Sequence, residues 1–141
     1  MSLVRKMILG TGLALGAVAL AGSPLAGAAG PHIAANPTHV MVNSPVALRG
    51  SGFPPDTRIT LAECSATAWV VPFSPCLTSN TVTVRTDSAG SFRTHMTARI
   101  CPAVSPGVTP TQRTCYIGEP VPQGVDTISL VGAAKIVVSW P

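Results

Sequence analysis

Residues 81–100 read TVTVRTDSAGSFRTHMTARI. Two runs that alternate apolar and polar residues flank Ser88-Ala89-Gly90, and alternation at period two marks a strand with one buried face. The interruption suits a type I turn followed by glycine in the left-handed region. The segment is therefore predicted to be a hairpin closed by Asp87 and Ser91, with Gly90 as the bulge residue. In that register Val84 faces Thr94 and Val82 faces Met96 on one side, while Arg85 faces Arg93 and Thr83 faces His95 on the other. The apolar side, with Phe92, Ala98 and Ile100, is the expected core face. The opposite side gathers Arg85, Arg93, His95 and Arg99. Directly opposed arginines repel unless Asp87 or an external anion screens them. That face is read as solvated surface, with weak contact to an anion such as DNA through Arg85, Arg93 and Arg99 as the functional reading.

Working outward, the same pattern recurs in short runs separated by Gly and Pro: His39 to Val42, Val46 to Gly50, Arg58 to Cys64, Thr114 to Gly118 and Ile136 to Trp140, with a weaker run from Thr127 to Val131. After the leader, no segment keeps a helical apolar period. About seven or eight short strands punctuated by turns predict an all-β fold, an immunoglobulin-like antiparallel β-sandwich. Phe92 and Trp140 alternate with core positions and are assigned to packing.

The N-terminal stretch differs in kind. MSLVRK, the apolar run MILGTGLALGAVALAG and the small-residue stretch SPLAGAAG have the order of a secretory signal peptide. Residues 1–28 are expected to be cleaved, leaving 29–37 as a flexible N-terminus and 38–141 as one domain. The apolar run is short for a membrane span, so the mature protein is expected to be secreted, extracellular and free of the membrane; it is also expected to be a monomer. The whole chain carries 9 basic and 5 acidic residues. Arg5 and Lys6 belong to the leader, so the mature domain is close to neutral and lacks a strong nucleic-acid footprint.

All four cysteines fall in the mature domain, in a compartment where disulfides persist. Three connectivities are open to four cysteines. The local pairs Cys64 with Cys76 and Cys101 with Cys115 are preferred, because each closes a Pro-rich loop at the end of a predicted strand. The first loop, ECSATAWVVPFSPC, is unusually apolar, and Trp69 and Phe73 either complete the core or line a binding wall. Zinc is disfavoured by the absence of a C-x-x-C pair, and neither His32 nor His39 has a ligand-spaced neighbour. No G-x-S-x-G, no H-E-x-x-H and no acidic pair on one strand point to catalysis. An enzyme is not expected.

The order of GSGFPPDTRITLAEC, a tethered loop returning at Cys76, TVTVRTDSAGSFRTHMTAR, a second loop ending CYIG, and AKIVVSW resembles the neocarzinostatin and macromomycin family of secreted actinobacterial chromoproteins. The similarity runs from about Thr38 to Trp140. It implies a seven-stranded immunoglobulin-like sandwich with both local disulfides and a cleft beside one sheet. In that family the cleft holds a hydrophobic enediyne chromophore, a DNA-damaging antibiotic that the protein carries and shields. By resemblance, Cys64 and Cys76 match the floor disulfide and Glu63 the polar residue before it, while Tyr116 and Gly118 match wall positions. With Trp69 and Phe73 these form the expected ligand-binding set. No cofactor is expected beyond such a non-covalent chromophore, and DNA is reached chiefly through the ligand. Ala66 stands where family members carry a tryptophan or small residue, and the second loop, PAVSPGVTPTQRT, lacks aromatic residues. The alternative is a ligandless immunoglobulin-like interaction or cell-surface module.

Overall fold

The computed structural model describes residues 30–103 and 111–141. Among the described residues, nine strands form two sheets: β1 (His32–Asn36), β2 (His39–Met41), β3 (Pro45–Ser51), β4 (Arg58–Cys64), β5 (Ala68–Val70), β6 (Cys76–Arg85), β7 (Phe92–Thr97), β8 (Gln112–Pro122) and β9 (Thr127–Ser139). One sheet has the order β1-β3-β7; the other runs β2-β9-β8-β4-β6, with β5 added on β9. Each sheet turns one apolar face to the other. Ile33, Val46, Leu48, Phe92 and Met96 from the small sheet meet Ile59, Leu61, Ile117, Ile136 and Val138 from the large one. The expected all-β sandwich is what the chain forms, antiparallel except where β2 runs parallel to β9, and both local disulfides, Cys64–Cys76 and Cys101–Cys115, are present.

The turn at 87–90 is as expected. Asp87 N–H donates to the Ser91 carbonyl at 2.8 Å, Gly90 N–H donates to the Asp87 carbonyl at 3.0 Å, and Gly90 has φ of 76°. The hairpin expected on either side of that turn does not form. β6 and β7 do not pair with each other: Arg85 stands opposite Arg58 on β4, and Arg93 stands opposite Arg49 on β3. The cause lies in the preceding turn. Thr86 Oγ1 donates to the Pro54 carbonyl at 2.6 Å and accepts from Thr57 N–H at 2.9 Å, while Phe53 N–H donates to the Gly90 carbonyl. The two turns interlock, and the strands leave them into different sheets. Val82 and Val84 still face inward and pack against the core cluster that includes Phe92 and Met96, but from the other sheet.

Three further expectations change. The segment 29–37, expected to be a flexible N-terminus, contains β1, which pairs with β3 and buries Ile33; pairing supplies the backbone partners that a free terminus lacks. Nine strands replace seven, because the first disulfide loop contributes β5 as well. The weak run from Thr127 and the final strand are one continuous β9. The expected leader, residues 1–28, and positions 104–110 of the second tethered loop lie outside the described residues.

Candidate ligand-binding face

The end of β4 sets the site. Ile59, Leu61 and Glu63 point into the sandwich, so the alternating Ala62 and Cys64 point out of the large sheet. Cys64 is opposite Cys76 on one side and Tyr116 on the other, and Tyr116 is opposite Lys135. Directly opposed residues share a face. The disulfide, the phenol and the lysine therefore form one row on the outer surface. Ala62 and Gly118 form the next row. A Cβ on Gly118 would lie 3.1 Å from that of Leu130, so glycine there lets Leu130 close over the sheet.

The result is a second apolar cluster, separate from the core. Ala62, Cys64 and Leu130 are buried, and Trp69, Cys76, Tyr116 and Ala133 pack against them. Trp69 reaches it because β5 crosses to the far edge of β9. There Trp69 stands opposite Ile128, Leu130 N–H donates to the Thr67 carbonyl at 2.8 Å, and Val71 N–H donates to the Asp126 carbonyl at 2.7 Å. The base of the loop is tied by Ser65 N–H to the Pro75 carbonyl at 2.9 Å. Its apolar residues thus divide. Trp69 turns inward, while Val70, Val71 and Phe73 face solvent, Phe73 with 77% of its surface accessible.

Of the residues singled out by sequence, Cys64, Cys76, Trp69, Tyr116 and Gly118 come together on this face, and Phe73 stands at its rim. Glu63 belongs to the other face of the sheet. It is fully buried, accepts from Asn80 Nδ2 at 2.5 Å and from Arg99 N–H at 3.0 Å, and its carboxyl is pushed above the ordinary value by burial, an effect those hydrogen bonds and the Arg99 charge oppose. Asn80 Nδ2 also donates to the Thr97 carbonyl at 2.9 Å, so Glu63 ties β4 to β6 and to the end of β7. Leu130, Ala62 and Ala133 join the same outer cluster, and sequence reasoning does not single them out. Each sits in an alternating run, which marks a strand but not which side of which sheet it will face.

The expected cationic face of Arg85, Arg93 and Arg99 does not form. Arg85 lies on the outer surface of the large sheet and Arg93 on that of the small one, because their strands part at the turn. The Arg99 guanidinium donates to Asn43 Oδ1. Two surface cavities among the described residues lie away from this face: one of about 440 Å³ is lined by Val42, Asn43, Leu77, Ser79, Arg99 and Ile100, another of about 280 Å³ by Ala34, Ala35, Asn36, Ala47 and Arg49. Among the described residues, no group of three or more His, Cys, Asp or Glu side chains is placed to hold a metal.

No known family model matches the sequence, and no curated protein matches it either. Among solved structures the chain is similar to macromomycin, with 17% identity over 79% of this chain and 99% of that one, at a TM-score of 0.49.

Proposed function

We propose that this protein is a secreted carrier of a hydrophobic, aromatic small molecule, held on the outer face of the large sheet between the β5 loop and the Tyr116–Leu130 surface. The observation that carries the reading is the second cluster: buried Cys64 and Leu130 with Trp69 and Tyr116 on a face outside the core, rimmed by exposed Val70, Val71 and Phe73. A soluble domain gains little by grouping exposed apolar side chains on a loop fixed by a disulfide and a strand pairing, and such patches commonly mark binding surfaces. Tyr116 and Trp69 offer aromatic surface to a flat ligand. The segment order shared with the neocarzinostatin family supports the same reading and suggests an enediyne-type antibiotic as the cargo. Any DNA damage then belongs to the ligand, and the protein acts as shield rather than catalyst.

A second reading is favoured by one observation. Trp69 already covers part of the disulfide, and Phe73 projects from the loop tip, as it would in a protein-interaction module that needs no ligand. Native mass spectrometry of protein recovered from culture medium separates the two. The carrier reading expects a co-purifying organic mass that is lost in Phe73→Ala protein; a bare chain, or a chain bound to another polypeptide, supports the module and contradicts the carrier.

A further inference from the structure

Beyond Arg5 and Lys6 of the leader, the basic residues fall into distinct settings. Arg99 is bound to Asn43, and Arg113 donates to the Cys101 carbonyl with its guanidinium 5.5 Å from the centre of the Trp140 ring. Lys135 lies in the Tyr116 row. Arg58 and Arg85 oppose each other on the large sheet, next to the turn that carries Asp56. The last two, Arg49 and Arg93, oppose each other on the small sheet, and their setting is different.

The 5 carboxylate residues of the chain are Asp56, Glu63, Asp87, Glu119 and Asp126, and β1, β3 and β7 contain none of them. Asp87, in the turn before β7, is occupied: its Oδ1 accepts the N–H groups of Ala89 and Ser91, each at 2.9 Å. Arg49 and Arg93 are both exposed, with Cα atoms about 5 Å apart, as for any directly opposed pair, and like charges so placed repel. Beside them the register sets Ala34 opposite Arg49, Asn36 opposite Ala47, and His95 opposite Ala47 from the other side. The small side chains of Ala34 and Ala47 leave the recess of about 280 Å³ that Arg49 and Asn36 also line.

We propose that this outer face of the small sheet is a binding site for an organic dianion, a phosphate monoester. Its head group is held between Arg49 and Arg93, and its apolar body lies over Ala34 and Ala47. Two guanidinium groups present two sets of paired donors, which a tetrahedral dianion can accept at once, whereas a carboxylate satisfies one. The dianion cancels the repulsion that the register imposes. Asn36 supplies a neutral polar group at the far side of the recess. The site is on the opposite side of the sandwich from the Cys64–Tyr116 face and does not depend on it.

The test is a titration with phenyl phosphate, followed by amide chemical shifts, with phenylacetate as the monoanion control. The expected result is saturable shifts at Ala34, Ala47, Arg49 and Arg93, weaker binding of phenylacetate, and a loss of affinity of about tenfold or more in Arg49→Gln and in Arg93→Gln protein. Arg93→Lys, which keeps the charge but loses the planar fork, should fall between. Arg58→Gln/Arg85→Gln protein should bind as wild type. Shifts confined to the large sheet, equal losses in the two sets of variants, or no saturable binding would overturn the proposal. Both arginines are exposed, so the variants should fold; an unchanged far-ultraviolet circular dichroism spectrum checks this.

Discussion

Cys64 and Tyr116 stand directly opposite each other on β4 and β8, so the first disulfide and the chain's single phenol share one outer face of the large sheet. The disulfide thereby does two things. It closes the loop that carries Trp69, and it supplies part of the apolar floor on which Trp69 rests. The loop is held from both ends of its span, at Cys76 on β6 and at Ile128 on β9.

The division of the loop's aromatic side chains gives unequal costs. Trp69→Ala removes a partly buried ring from the outer cluster and should lower stability by about 2 kcal/mol, less than a fully buried tryptophan would cost. Phe73→Ala, at a mostly exposed position, should change it by less than about 0.5 kcal/mol. Urea denaturation of the two variants measures the difference; equal costs would mean that Trp69 is not seated on the cluster.

Removing the first disulfide as Cys64→Ala/Cys76→Ala releases a loop closed at a sequence separation of 12. The loop-closure argument puts the loss at about 3 kcal/mol. Since Ala62 and Leu130 remain, the fold should persist, and amide exchange should rise most in β5. Uniform exchange throughout the chain would contradict the local role given to the bridge.

Gly50 lies opposite Phe92, and a Cβ there would fall 1.9 Å from the ring. That ring is fixed in turn against Phe53, with centroids 5.5 Å apart, and has little room to retreat. Gly50→Ala should therefore cost about 3 kcal/mol by overpacking. A denaturation midpoint equal to wild type would show that the ring can move aside.

Burial raises the Glu63 carboxyl above the ordinary glutamate value. The folded state then holds that proton more tightly than the unfolded state, so the contribution to stability is present in full below the unfolded value and is lost as pH rises through the folded one. Glu119 is also raised by burial and acts in the same direction, so the comparison must isolate Glu63. Denaturation midpoints of wild type and Glu63→Gln from about pH 4 to about pH 8 do this: wild type should lose stability relative to the variant as pH rises. A constant difference would place the Glu63 titration outside that window.

The fold class was legible because alternation, turn residues and local cysteine spacing are properties of short segments. The Asp87–Ser91 turn is encoded in DSAGS and forms as read. The partners of β6 and β7 are not encoded there: the same alternation serves a hairpin or two strands facing each other across a core. The choice is made by Thr86 and Phe53, whose hydrogen bonds to the neighbouring turn join residues about 30 positions apart in sequence. The arginine face is lost for that reason. On the candidate face, motif order singles out Cys64, Tyr116 and Gly118 but not Leu130, since its side of β9 depends on the irregular register between Ile117 and Glu119. Glu63 stands next to Cys64 in the expected binding set, yet adjacent strand residues point to opposite faces.

The most direct test of the carrier reading is an amide chemical-shift map during titration with the neutral fluorophore N-phenyl-1-naphthylamine. A carrier should give saturable shifts at Cys64, Trp69, Tyr116 and Leu130, with affinity reduced in Phe73→Ala protein whose stability is unchanged. Saturable shifts confined to other surfaces, or no binding at all, would contradict it.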